Sequence, residues 1–183
     1  MPKLSSISKT NLYSLSSKDN FESYSYLDTG NITENKVAQL QTFSDKSNLP
    51  SRAKRLVKKD NIIYSSVRPN QKQYGYIDEN LQNIIVSTGF VVIDVDEKMA
   101  DPYYIYLQLI QDDVTHYLQS IAEQSVTSYP SIKASDIEEL EINLPPIDVQ
   151  KRISKIIRSI NKKMEINEAI NKNLFVLLKR YFS

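Results

Sequence analysis

Residues 149–182 contain neither proline nor glycine, and they follow directly on Leu144-Pro145-Pro146. Two prolines stop any preceding element, and Pro146 or Asp148 opens the next one. Written as heptads, one set of positions holds Ile153, Ile160, Asn167, Leu174 and Tyr181, and the offset set holds Ile156, Lys163, Ile170 and Leu177, flanked by Ile157, Met164 and Leu178. The apolar stripe therefore runs for four heptads, with Asn167 polar and Lys163 displaced by Met164. This predicts one helix of about 34 residues, roughly 50 Å long. A globule of about 145 residues has no use for such a length, and a projecting helix with a single apolar seam calls for a partner. The chain is thus expected to divide into an α/β (α+β) domain over residues 1–144, with a twisted and mainly β core, and one long C-terminal α-helix over 145–183 that pairs as a coiled coil.

The composition removes several classes of chemistry. There is no cysteine, so disulfide scaffolds, cysteine zinc sites and thiol nucleophiles are excluded. The single histidine, His116, sits in a helical pattern and reads as a surface or hydrogen-bonded core residue. Three glycines, Gly30, Gly75 and Gly89, are too few and too scattered for a phosphate-cradling loop. No stretch approaches the roughly 20 apolar residues that span a bilayer. Residues 1–17 are serine-rich without the apolar core of a signal peptide, which predicts a cytoplasmic protein with no membrane association.

The middle of the chain is strand-rich. Arg55-Leu56-Val57 and Ile62-Ile63-Tyr64-Ser65-Ser66-Val67 read as a short strand pair around the polar turn Lys58-Lys59-Asp60-Asn61. Ile84-Ile85-Val86 and Phe90-Val91-Val92-Ile93 are continuous apolar runs, as expected of strands covered on both faces. Asp101-Pro102 predicts an N-cap and first helical position. A second helix is expected from Asp113 or Val114 to about Glu123, with Val114, Tyr117, Leu118 and Ile121 as its apolar stripe. Ser135-Asp136-Ile137-Glu138 has the form of a capping box. Leu140, Ile142 and Leu144 alternate as in a half-buried strand.

The net charge of +1 conceals a partition. Residues 51–77 carry seven basic and one acidic side chain, residues 78–150 two basic and fourteen acidic, and residues 151–183 nine basic and two acidic. In the first block, Ser51-Arg52-Ala53-Lys54-Arg55 and Val67-Arg68-Pro69-Asn70-Gln71-Lys72-Gln73-Tyr74 mix cations with amides at strand ends. Those are the groups that contact phosphates and base edges; arginine pairs with guanine, and asparagine or glutamine with adenine. A solvated basic face is the competing explanation. The carboxylate clusters at Asp94, Asp96 and Glu97, at Asp112-Asp113, and at Asp136, Glu138, Glu139 and Glu141 lack nuclease or EF-hand spacing and read as a solvated face. Twelve tyrosines suggest stacking platforms. Tyr103, Tyr104 and Tyr106 read as core and rim, whereas Tyr129 lies in a polar loop suited to recognition.

The C-terminal half is more specific. Leu144-Pro145-Pro146-Ile147-Asp148-Val149-Gln150-Lys151-Arg152-Ile153 resembles the "LPPLxEQxxI" motif that opens the long helix in specificity (S) subunits of type I restriction-modification enzymes. Ile160-Asn161-Lys162-Lys163-Met164-Glu165-Ile166-Asn167 is similar to that family's "LDxKIELN", and Ile170-Asn171-Lys172-Asn173-Leu174 to its "INxxL". Tyr129-Pro130-Ser131-Ile132-Lys133-Ala134-Ser135-Asp136-Ile137 resembles the loop before the helix. Ser51-Arg52-Ala53-Lys54-Arg55, Val67-Arg68-Pro69-Asn70 and Ser87-Thr88-Gly89-Phe90 resemble its "SRAK", "VRP" and "StGF" stretches. The likeness runs from about residue 24 and is strongest over 125–174; Asp148-Val149 departs mildly from the usual acidic pair.

The resemblance implies a half-length specificity subunit with one target-recognition domain, read mostly through the major groove, and one spacer helix. It implies a chain without a catalytic site or cofactor of its own; methyl transfer and cleavage with S-adenosylmethionine, ATP and Mg²⁺ belong to partner methyltransferase and restriction subunits. It puts double-stranded DNA against Arg52, Lys54, Arg68, Asn70, Lys72 and the loop residues Ser128, Tyr129, Ser131 and Lys133, and Ser51, Arg55, Ser66 and Tyr74 are further candidate contacts in the same segments. It puts packing against a second copy or another specificity subunit on Ile153, Ile157, Ile160, Met164, Ile170, Leu174 and Leu177, with Asn167 setting the register. Two rival expectations stand beside it: an S-like interaction protein that pairs with a full-length subunit and modulates assembly without reading DNA, and a nuclease built on the acidic clusters.

Overall fold

The computed structural model describes residues 1–78, 84–124 and 129–181, the last six by their backbone alone. The chain forms two compact units, Met1–Leu144 and Pro145–Ser183.

The first unit is built on two four-stranded sheets. One is antiparallel throughout, in the order β1 (Ser8–Thr10), β10 (Phe90–Val95), β7 (Ile62–Ser65), β8 (Tyr74–Tyr76). The other has the order β5 (Gln41–Phe43), β2 (Tyr24–Leu27), β9 (Ile84–Ser87), β6 (Ala53–Leu56), and its central pair, β2 with β9, is parallel. A short hairpin, β3 (Ile32–Thr33) and β4 (Lys36–Val37), joins neither sheet as a strand, but its turn donates the Glu34 N–H to Lys72 O and the Asn35 N–H to Tyr74 O, both at 2.9 Å.

Alternation along the central strands shows why their apolar runs are unbroken. Ile84 and Val86 join Leu27, Ile63, Phe90 and Val92 in a core that draws on both sheets. Ile85 faces the opposite way and packs with Tyr24, Tyr26 and Ala53. Each such fully buried aliphatic or aromatic side chain contributes about 1.5–3 kcal/mol relative to exposure. On the first sheet, Tyr64 stacks on Tyr74 at 5.7 Å, and Tyr76 meets Tyr103 edge-on at 5.0 Å. The tyrosines of helix α1 (Pro102–Leu109) are therefore core. Burial pushes the hydroxyls of Tyr64, Tyr74 and Tyr106 above the usual phenol range. Asp101 caps α1, its Oδ1 accepting the Tyr104 N–H at 2.9 Å.

Several local expectations are corrected. The strands on either side of Lys58-Lys59-Asp60-Asn61 are not partners: β6 pairs with β9 and β7 with β10 and β8, so the chain changes sheets here. It changes sheets again at Thr88-Gly89, between β9 and β10. Helix α2 (Asp112–Glu123) buries Thr115, Leu118 and Ala122, whereas Tyr117 is exposed, so its inward face is rotated from the predicted stripe. Helix α3 (Ala134–Glu138) starts two residues earlier than the capping-box reading, with Lys133 rather than Ser135 at the N-cap; the Asp136 carboxylate accepts the Lys133 N–H at 2.7 Å. Leu140 and Ile142 are buried and Glu141 and Asn143 exposed, as alternation requires, but the segment meets residues 2–4 through a single bridge and forms no strand.

The second unit is helix α4 (Ile147–Tyr181), 35 residues in one piece. Ile153, Ile160, Met164, Ile170 and Leu174 are exposed on it, and so is Asn167. Ile157 is half-buried, and the side chain of Leu177 lies outside the described residues. Lys151, Arg152, Lys155, Lys162 and Lys163 are exposed, and Arg158 is half-buried. Among the described residues no helix is long and apolar enough to cross a membrane.

Candidate nucleic-acid interface

Segments far apart in sequence meet where the strands of both sheets end. The Thr88 N–H donates to the Arg52 carbonyl at 2.9 Å, tying the start of β6 to the Thr88-Gly89 corner. Ser66 donates both its N–H (2.7 Å) and its hydroxyl (2.8 Å) to the Gly89 carbonyl. The Ile132 N–H donates to Ser66 O at 2.8 Å and the Arg68 N–H to Pro130 O at 3.0 Å, around an antiparallel bridge between Val67 and Ser131. Gly89 is required by proximity: a Cβ there would lie 2.9 Å from Arg52 Nη2 and 2.9 Å from Thr29 Cγ2.

These segments enclose a cleft of about 600 Å³. Of the residues that the sequence singled out, Arg52, Arg68, Tyr129 and Ser131 line it. Gln71 and Gln73, amides of the basic block, also line it, and so do Asp28, Thr29 and Gly30, which sequence reasoning missed. The signal for the glutamines was their place in the basic block; Asp28 and its neighbours carried none, because only the parallel pairing of β2 with β9 brings them here.

Arg68 has a left-handed backbone (φ 47°, ψ 70°), and Lys72 does too (φ 52°). Between them Pro69–Gln71 form a 3-10 turn closed by Gln71 N–H to Arg68 O and Lys72 N–H to Pro69 O, both 2.9 Å. The Arg68 guanidinium sits 5.6 Å from the ring centre of Tyr129, within cation–π range. Tyr129 is 65% exposed, an unusual amount for an aromatic ring beside a cleft.

The remaining expected contacts are placed differently. Ser51, Lys54, Asn70 and Lys133 are exposed but do not line the cleft, and the Asn70 N–H donates to Gln119 Oε1 at 3.2 Å. Ser66 is occupied with Gly89. Arg55 is half-buried, with Nη1 enclosed and without a hydrogen-bond partner among the described residues, and desolvation lowers its pKa. Tyr74 is buried in the tyrosine core. Lys72 is ion-paired with Asp112 at 2.8 Å and with Glu34 at 3.5 Å; the hydrogen bond and charge of Asp112 raise the lysine pKa, and Lys72 in turn lowers that of Asp112. Ser128 lies outside the described residues. His116 is exposed. Among the described residues no three histidine or carboxylate side chains converge in a way that would hold a metal ion.

Two guanidiniums, two amides, the Asp28 carboxylate, the Thr29 and Ser131 hydroxyls and an exposed ring on a two-sheet frame bring together the kinds of group that pair with phosphates and with base edges. Comparison with known proteins gives the family and the fold. The model of the type I restriction modification DNA specificity domain matches residues 4–175, and the chain belongs to that family. It is similar to the specificity subunit of the type I restriction enzyme HindI of Haemophilus influenzae, 32% identical over 157 residues, which are 86% of this chain and 34% of that protein. Two solved structures share the fold. One is a chain from a type I R-M system described for its complex assembly and conformational transition (TM-score 0.70, 22% identity, 91% of this chain and 43% of that one). The other is the HsdS subunit of Thermoanaerobacter tengcongensis (TM-score 0.70, 22% identity, 90% and 42%). The chain thus spans about a third of the curated relative and under half of each solved chain.

Proposed function

We propose that this chain reads a short DNA sequence through the Arg52–Arg68–Tyr129 cleft as the non-catalytic recognition component of a type I restriction-modification assembly in the cytoplasm. Its helix α4 pairs along Ile153, Ile160, Met164, Asn167, Ile170 and Leu174 with a second copy or another specificity subunit, giving a bipartite target. The paired helices dock methyltransferase subunits and, through them, the restriction subunit. S-adenosylmethionine, ATP and Mg²⁺ serve those partners.

The observation that carries the reading is that the "SRAK"-, "VRP"- and "YPS"-type segments line one cleft, with the "StGF"-type segment behind them tied in by the hydrogen bonds from Thr88 to Arg52 and from Ser66 to Gly89. The exposed seam supports the pairing. Selection from randomised duplexes by the purified full chain, with its mass measured by light scattering, tests it. The expected result is a dimer, or a complex with methyltransferase subunits, that enriches one bipartite motif. Tight helix pairing with only weak, unspecific DNA affinity would favour the interaction protein that modulates assembly instead. Metal-dependent cleavage by the chain alone would favour the nuclease.

A further inference from the structure

The cleft contains one feature that a phosphate-binding surface does not need. Asp28 lines it, at the end of β2, together with Arg52 and Arg68, yet lies in an ion pair with neither. The Tyr26 hydroxyl donates to Asp28 Oδ1 at 3.2 Å, and no donor among the described residues reaches Oδ2. Tyr26 is itself buried, and burial pushes its hydroxyl above the usual phenol range; the neighbouring Ser87 hydroxyl pulls it back in part. The phenol therefore stays protonated at neutral pH and holds one carboxylate oxygen while the other is left unused.

A fixed carboxylate repels a nearby phosphate, so its presence here weakens unspecific binding. What it matches on a duplex is a hydrogen-bond donor, and in the major groove the donors are the exocyclic amines, cytosine N4 and adenine N6. The arginines beside it suit the acceptors O6 and N7 of guanine. A cleft lined by both guanidinium and carboxylate groups is complementary to base edges rather than to the backbone.

We propose that Asp28 is a specificity-determining residue that accepts a hydrogen bond from the exocyclic amine of one base in the target, with Tyr26 as the residue that positions its carboxylate. The inference rests on the DNA-reading assignment above and adds to it a residue and a ligand group.

The test uses the full chain and duplexes carrying its selected motif. Asp28→Asn, which keeps the shape and removes the charge, is expected to lose discrimination at one base pair by about tenfold and to bind random duplex more tightly than the unaltered chain. Every other position of the motif keeps its preference. At the affected position, amine-deleted bases separate the two sources: purine in place of adenine, or pyrimidin-2-one in place of cytosine. One of them should weaken binding by the unaltered chain about tenfold and leave the Asp28→Asn variant indifferent. Tyr26→Phe should relax the same position less strongly, which keeps the test open if Asp28→Asn does not fold. An unchanged motif in Asp28→Asn, or equal relaxation at all positions, overturns the proposal while the DNA-reading assignment stands. A chain that selects no motif at all overturns both, and is recognised by the failure of the unaltered protein.

Discussion

Arg68 holds a left-handed backbone without being a glycine, at a cost of about 1 kcal/mol or more. Its N–H bond to Pro130 and the 3-10 turn that follows keep it there, and the result is a guanidinium presented between the cleft and the Tyr129 ring. Arg68→Ala and Arg52→Ala should each weaken specific duplex binding by about 1–3 kcal/mol in fluorescence anisotropy; unchanged affinity and preference in both variants would remove the cleft as the reading surface. Lys72 acts differently. Its partners Asp112 and Glu34 brace the far end of the same turn. The lowered Asp112 pKa means that its contribution is present above the ordinary value of 3.8 and lost as pH falls through the folded pKa. The raised Lys72 pKa means that its contribution is present below 10.5 and lost as pH rises through the folded one. Amide hydrogen exchange in residues 69–72, corrected for the intrinsic pH dependence, should therefore be most protected on a plateau between those limits. Lys72→Met should remove the plateau.

Among the elements, the sheet-switching corner Thr88-Gly89 is where architecture and site meet. It ends β9, starts β10, receives two hydrogen bonds from Ser66 and lies under the Arg52 guanidinium. Gly89→Ala forces the new methyl group against Arg52 and Thr29. The arginine end is flexible and yields first, so specific DNA affinity should fall by about tenfold while the melting temperature moves by only a few degrees. A variant that melts normally and binds normally would show that the position of Arg52 is not set by the corner. The two-residue spacing of Thr88-Gly89 between apolar runs looks like a hairpin turn locally. It is not one: β9 pairs with β2 and β6, and β10 with β1 and β7 in the other sheet.

For the molecule as a whole, the seam of α4 is the feature that bears on assembly. Among the described residues six large apolar side chains on the heptad stripe are exposed (Ile153, Ile156, Ile160, Met164, Ile170 and Leu174), and covering such a seam favours association. If α4 pairs as proposed, Ile160→Asp, which introduces a charge into the seam, should give a smaller species than the unaltered chain in light scattering, with the circular dichroism of the first unit retained. An unchanged mass would show that the seam is not the interface. If two copies pair, two-fold symmetry predicts an inverted-repeat target with a fixed spacer; an asymmetric bipartite motif in the methylome would instead identify a heterologous partner.

The long helix, its seam and its boundary at Pro145-Pro146 were legible in the sequence because helical periodicity and proline stops are local properties of the chain. So were the buried strands, whose unbroken apolar runs need cover on both faces, and the basic block that supplies Arg52 and Arg68. Strand partners were not legible: β6 and β7 look like a pair, and only the competition among all strands assigns them to separate sheets. The membership of the cleft had the same character. Lys72 and Arg68 are equivalent as sequence, but Asp112 and Glu34, each about 40 residues away, take the first and leave the second facing the cleft. Asp28 enters from β2 through a parallel pairing that spans some 60 residues. Charge and periodicity are written locally, whereas ion pairing, burial and strand order are decided by contacts between distant residues, and these determined which of the basic residues line the cleft.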